Sequence, residues 1–386
     1  MAALYFFLNR AGLPIGLFYT TIFSPVFYVW LYFQHKRWLT FKFLLCLSPF
    51  VVAHAIQGVD SRFYYARSVL LLWSVYIATY AFCFALLKAR HVDRLFDQLI
   101  VLNLFAAVIA LILLPTPYGN FLWSAGFSDL ADMPSYVRRL QLLTLEPSHY
   151  GFEMVPLLIF ASIRLLQKPC ARNGAYVAMI LFPLVLSQSF GSLSFCAAAL
   201  AVALLPALPR LMKKGSTVVI LVAIVILIVG ALVIPNPLSI RAAHVEDSSD
   251  SSLNSRTTNG LTLAYIIASS KSIWWGIGLG QAKLQDVFGL NLGFEKGIIP
   301  NALGATFAEL GLVSILAKVL LECYLFFRAR VYRDSFRLAM FVAACLSQVT
   351  GSYLMNVQEY LAWFLAFVQI FPEVNLARQI RWRATR

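Results

Sequence analysis

Long uninterrupted apolar runs decide what this chain can fold into. The stretches 41–58, 68–88 and 98–115 follow one another closely. Each is near the roughly 20 residues that a helix needs to cross a bilayer. Inside hydrocarbon every backbone N–H and C=O must find a partner within the protein, so helices or closed barrels are the available forms. A barrel strand alternates in polarity residue by residue; these runs do not, and helices are expected. Extended along the chain, the same reading gives about 11 spans (10 to 12), at 14–34, 41–58, 68–88, 98–115, 151–166, 174–189, 191–208, 217–235, 301–327, 338–355 and 360–375. The expected fold class is therefore an all-α, polytopic integral membrane protein, with residues 1–386 forming one transmembrane domain. No internal repeat is visible, and no span shows the interrupted helices that transporters build at the midplane.

Composition agrees. The chain is 60% hydrophobic and 12% charged, far from the balance of soluble domains. That excludes a soluble enzyme with one aqueous core, a disordered chain and a disulfide scaffold. The net charge of +14 would suggest nucleic acid in a soluble protein. Here the basic clusters follow alternate spans: Lys36/Arg37, Lys88/Arg90/Arg94, Lys168/Arg172, Arg210/Lys213/Lys214, Arg328/Arg330/Arg333/Arg337 and the C-terminal arginines. Such loops face the cytoplasm, so a cytoplasmic C-terminus and no nucleic-acid partner are expected. Lys318 is assigned to that side too, near a span end. The first apolar stretch reads as a full span rather than a cleaved signal. Cys46, Cys83, Cys170, Cys196, Cys323 and Cys345 lack metal-ligand spacing, and neither a disulfide nor a zinc site is expected.

Two loops on the outer side exceed simple connectors: a first large loop at 116–150 and a second at 236–300. The first ends in Arg138-Arg139-x6-Glu146-Pro147-Ser148-His149-Tyr150-Gly151. Outer arginines run against the inward bias of positive charge, and arginine suits a two-pronged grip on phosphate. Pro147 fits the first turn of a helix. Glu146 then stands at that helix N-terminus, where the dipole favours a carboxylate or an anionic ligand. The plainer reading makes Glu146 a cap, the arginines headgroup anchors and His149 a structural hydrogen bonder. The second loop carries Arg241, His244, Glu246, Asp247 and Asp250-x-Ser252-x3-Arg256, then Lys271, Trp274-Trp275 and Gly276-x-Gly278-x-Gly280. If helical, Asp250 and Arg256 lie near one face. The glycines allow tight turns or close backbone approach, and the tryptophans suit an interfacial belt. Glu153, Gln188, Glu309, Gln348 and Asn356 are polar within spans, and intramembrane ionisable groups point to function. Nucleotide-binding fingerprints are absent from the sequence.

These segments, in this order, resemble the bacterial O-antigen polymerase and O-antigen ligase superfamily. The resemblance rests on Arg139…Glu146-Pro147-Ser148 before a central span and on Leu186-Ser187-Gln188-Ser189 running into Gly191-Ser192-Leu193. It rests also on Asp250-x-Ser252-x3-Arg256 followed by the glycine triplet, and on Asn301-x7-Glu309-Leu310-Gly311-Leu312. Roughly residues 100–325 are covered. Ligases of the family place a His just before that Asn, where this chain has Pro300, and often an Arg where it has Phe190. With Glu-Pro-Ser, these departures favour the O-antigen or exopolysaccharide repeat-unit polymerases.

The resemblance implies a GT-C-like membrane glycosyltransferase in the bacterial inner membrane, with its active site facing the periplasm. It would polymerise undecaprenyl-diphosphate-linked oligosaccharide repeats by a metal-independent, inverting transfer with no cofactor. The implied catalytic residues are Glu146 and His149. Arg138, Arg139, Arg241 and Arg256 are the implied diphosphate ligands, supported by Asp250, Ser252, Gly278, Asn301 and Glu309. The expected partners are the lipid-linked donor and acceptor and the lipid bilayer, with a polysaccharide chain-length regulator as a candidate. The alternatives are an O-antigen ligase acting on lipid A core and a lipid-linked oligosaccharide flippase.

Overall fold

The computed structural model describes residues 19–124, 138–144, 146–208, 256–285, 299–350 and 357–376. The protein is mostly helical, with twelve α-helices among the described residues. They are α1 (Tyr19–Phe33), α2 (Leu39–Gln57), α3 (Arg62–Lys88), α4 (Val92–Leu113), the single-turn α5 (Gly119–Leu122) and α6 (Pro147–Gln167). After these come α7 (Ala171–Ser187), α8 (Phe190–Leu204), α9 (Thr258–Ser269), α10 (Ala302–Arg328), α11 (Ser335–Thr350) and α12 (Val357–Phe367). Five of them, α2, α3, α4, α6 and α10, are long and apolar enough to cross a membrane. The expected span at 217–235 lies outside the described residues; each other expected span holds a helix.

Helix α6 is the hub, packed against α4, α7, α8, α11 and α12. Its most apolar stretch is 78% buried, against 17% for α10. Tyr150 fixes its first turn by donating to Asn103 Oδ1 of α4 at 2.6 Å, fully inside the core. At the opposite end Arg164 donates to Asp97 of α4 at 2.5 Å and lies 5.0 Å over the Phe160 ring. The outer helices instead expose apolar side chains. Phe41, Leu44, Leu45, Val52 and Ile56 of α2 and Leu316, Val319, Leu320, Leu321, Tyr324 and Phe327 of α10 all face outward. On soluble proteins an apolar surface of this extent marks an interaction face; on helices of this length it suits lipid.

Three features depart from the sequence reading. Within the expected span 360–375 the helix α12 stops at Phe367. Arg337, buried near the start of α11, donates to the carbonyls of Ala366 and Phe367 at 3.0 and 2.8 Å, and to that of Ala329 at 2.8 Å. One guanidinium thus satisfies helix-end carbonyls of both α10 and α12. The chain then turns so that Phe371 packs on Phe96, Phe160 and Phe336 with ring centroids 4.8–4.9 Å away. The second departure is a small antiparallel sheet of β1 (Trp123–Ser124) and β2 (Arg139–Leu140), which pairs the two ends of the first large loop. Trp123 anchors it by donating from Nε1 to the Ala110 carbonyl at 2.8 Å.

The third departure is a break in α10. Gly311 sits at φ 73°, ψ −174°, outside helical geometry. The segment 273–278 fills the gap: Ile277 and Gly278 donate to the Ala308 and Glu309 carbonyls at 2.9 and 3.0 Å. Leu312 and Val313 donate to the Ile273 and Trp274 carbonyls at 2.8 and 3.1 Å. Residues 271–285 form a strap, tied also to the α2–α3 turn. Gln281 accepts from Ser61 N at 2.9 Å and donates to Ser61 O at 3.1 Å, Lys271 pairs with Asp60 at 2.5 Å, and His54 meets the Trp275 carbonyl at 2.8 Å.

Candidate functional site

Glu146 is the N-cap residue of α6, with extended backbone (φ −146°, ψ 150°) and Pro147 at the first helical position. Its carbonyl accepts from His149 N and Tyr150 N at 3.1 and 3.3 Å. Its side chain makes no capping bond. The carboxylate turns outward instead: Oε2 accepts from Ser148 Oγ at 2.9 Å and lies 3.8 Å from His149 Nε2 and 3.8 Å from an Arg256 Nη. Both 3.8 Å separations are longer than a hydrogen bond. The Glu146 side chain is 47% exposed and that of Arg256 29%, while His149 is buried beneath them. A carboxylate, a cation and a helix N-terminus therefore lie side by side, the two charged groups partly exposed.

Arg256 enters from the second loop. Its position is set through its backbone: the Asn301 side-chain amide donates to the Arg256 carbonyl. The same Asn301 caps α10 by accepting from Gly304 N at 2.6 Å. One side chain thus couples the segment leading into α9 to the start of α10, using both the amide donor and the carbonyl acceptor of an Asn.

The Ser-rich turn between α7 and α8 lies directly behind. Gly151 of α6 packs so tightly against it that an added Cβ would meet Ser189 Oγ at 2.5 Å and Ser192 Oγ at 2.7 Å. The two hydroxyls are 2.8 Å apart. Gln188 turns the chain in the left-handed region (φ 49°, ψ 33°). Arg139 donates to the Ser187 and Gln188 carbonyls at 3.2 and 3.3 Å, holding the end of α7. Arg138 is exposed and donates to Asn120 Oδ1 at 3.0 Å.

The structure thus brings together Glu146, His149 and Arg256, with Asn301 behind Arg256 and Arg139 on the adjoining turn. Gly278 and Glu309 lie in a different assembly. Gly278 donates to the Glu309 carbonyl within the strap, and the buried Glu309 carboxylate faces the Gly280 N–H and Lys283. Arg241, Asp250 and Ser252 lie outside the described residues. Sequence reasoning did not single out Gly151, although a lone Gly in a helical pattern signals close packing. Among the described residues no group of three or more His, Cys, Asp or Glu is placed to hold a metal ion.

Comparison with protein-family models gives no match to this chain, and comparison with curated proteins gives none.

Proposed function

We propose that the protein is a membrane glycosyltransferase that polymerises undecaprenyl-diphosphate-linked oligosaccharide repeats on the periplasmic face of a bacterial inner membrane. The observation that carries this reading is the Glu146 carboxylate, half exposed and 3.8 Å from both Arg256 and His149. Supporting it, the four short segments of the sequence resemblance are joined in space through Arg139–Ser187, Gly151–Ser189, Glu146–Arg256 and Asn301–Arg256.

In this reading the acceptor hydroxyl oxygen attacks the anomeric carbon of the donor sugar. The bond from that carbon to the diphosphate oxygen breaks, and the electron pair leaves with the lipid diphosphate. The hydroxyl proton passes to Glu146, with His149 as the second choice of base. Arg256, with Arg138, Arg139 and Arg241, offsets the charge growing on the leaving group. Displacement from the opposite face inverts the anomeric centre. The donor is already activated, so neither nucleotide nor metal is invoked, and a chain-length regulator is the protein partner this chemistry would employ.

One observation favours a second reading, a flippase: the break in α10. Transporters leave such half-helix ends open for substrate or ions. Here backbone from 273–278 occupies them, so polymerisation is the reading kept. The test is deletion of the gene followed by sizing of surface glycan and lipid-linked intermediates. Single repeats without a ladder support the polymerase. Lipid-linked polymer absent from lipid A core indicates a ligase, and repeats trapped on the cytoplasmic leaflet indicate a flippase.

A further inference from the structure

A second group of ionisable side chains lies in the seam of α10, α11 and α12, apart from Glu146 and Arg256. Lys318 of α10 donates to Glu359 of α12 at 2.6 Å, and the Glu359 side chain is 1% exposed. One turn further along α10, Glu322 accepts from the Gln348 amide of α11 at 2.8 Å. Glu322 lies within electrostatic reach of both Lys318 and Glu359. The other titratable groups facing this seam are Cys323 of α10, Cys345 of α11 and Tyr360 of α12.

Among the described residues of this group there is one ammonium against two carboxylates. Lys318 makes its 2.6 Å contact with Glu359, and the hydrogen-bond donor to Glu322 among the described residues is the neutral Gln348 amide. The exposed residues around Glu322 on α10 are Val319, Leu320, Leu321 and Tyr324, so its surroundings on the open side are apolar. Glu322 lies in the apolar stretch of α10 that follows Gly311, six residues before its last residue, Arg328, in the part of the helix that would meet hydrocarbon. A lone carboxylate there is costly, and the inexpensive remedy is to neutralise it. A neutral acid fits the observed bond, because its carbonyl oxygen accepts from Gln348 as well as a carboxylate oxygen does.

We infer that this seam is a proton-binding site, with the proton carried by Glu322 beside the Lys318–Glu359 pair. The inference is independent of the glycosyltransferase reading. Loss of that proton puts like charges on α10 and α12, which the Lys318–Glu359 pair links. Proton occupancy is therefore linked to how α10 seats, and α10 carries Asn301 at its outer end.

Infrared difference spectroscopy of the purified full-length protein in lipid nanodiscs, between neutral and alkaline pH, tests this directly. A protonated-carboxyl C=O band that shifts in D2O is expected at neutral pH. Glu322→Gln removes it, Glu359→Gln leaves it in place, and Glu322→Asp, which keeps an acid, shifts it. A spectrum with no such band, or a band untouched by both Glu322 variants, overturns the proposal. The Asp variant keeps the test decisive should the Gln variant fail to accumulate. Polymer formation plays no part in this readout, so failure here and failure of the glycosyltransferase reading are separable.

Discussion

Among individual residues, Arg256 and Glu146 carry the sharpest tests. Arg256→Ala should abolish polymer while membrane levels of the protein stay normal, and Arg256→Lys should fail as well, because a point charge cannot replace a planar two-pronged donor. Glu146→Gln keeps the shape and the Ser148 contact but loses the base, and polymerisation rates should fall about 10²–10⁴-fold. Full polymer from Arg256→Ala would remove the centre of the mechanism. Asn301 permits a finer separation. Asn301→Asp keeps the acceptor that caps α10 and loses the amide that holds the Arg256 carbonyl. Thermal stability should change by less than the ~1 kcal/mol of a lost cap, while polymer yield drops. Unchanged yield would mean that the hold on Arg256 is incidental. Much of this cluster was readable from sequence, for local reasons. Glu146-Pro147 is a helix-start signal, and arginines in loops expected outside run against the charge bias of such loops. The engagement of Arg139 was not readable, because its partners are the last carbonyls of α7, 48 residues on.

Helices and the strap show where local signals run out. The apolar runs fixed where helices lie, because length and continuity are all that a bilayer demands of a span. They could not reveal the break at Gly311, because hydropathy passes through it unchanged. The cause is non-local: the backbone of Trp274 and Gly276 presses against Gly311, leaving no room for a Cβ. The Lys318–Glu359 pair was not readable for a similar reason, since the two residues lie 41 positions apart. The glycine triplet was legible as permissive backbone, and all three glycines have positive φ. Their use is to seat the strap: a Cβ added at Gly276 would meet the Glu309 backbone at 2.5 Å. Gly311→Ala should therefore destabilise by more than ~1 kcal/mol, whereas a glycine in open helix should gain up to about that amount on the same change. Gly174 in α7 has nothing within 4 Å of an added Cβ and is the matched control. Thermal unfolding of the two purified variants should move in opposite directions. A Gly311→Ala protein as stable as Gly174→Ala would mean that α10 closes its own break without the strap.

Across the whole molecule, α6 sets the relation between the candidate site and the basic face. It has 21 residues, about 31 Å at 1.5 Å per residue, close to the thickness of the hydrocarbon core. Glu146 is at one end. At the other lie Lys168, Cys170 and Arg172, beside the Asp97–Arg164 pair. If positive charge marks the cytoplasm, Cys170 faces inward and Glu146 outward. The native cysteines make this measurable. Cys170 is exposed in the short turn between α6 and α7, while Cys46 and Cys323, also exposed, lie within the long apolar helices α2 and α10. Cys196 is buried. A charged, membrane-impermeant maleimide should therefore react with Cys170 and with little else. Spheroplasts should stay unlabelled, inverted membrane vesicles should label, and Cys170→Ser should remove that signal. In the Cys170→Ser background, Tyr118→Cys, exposed just beyond the far end of α4, should label in spheroplasts. The reverse pattern would turn Glu146 and Arg256 toward the cytoplasm. A periplasmic polymerase could not work from there, and the outer-face assignment would fall even if every mutation at the site abolished polymer.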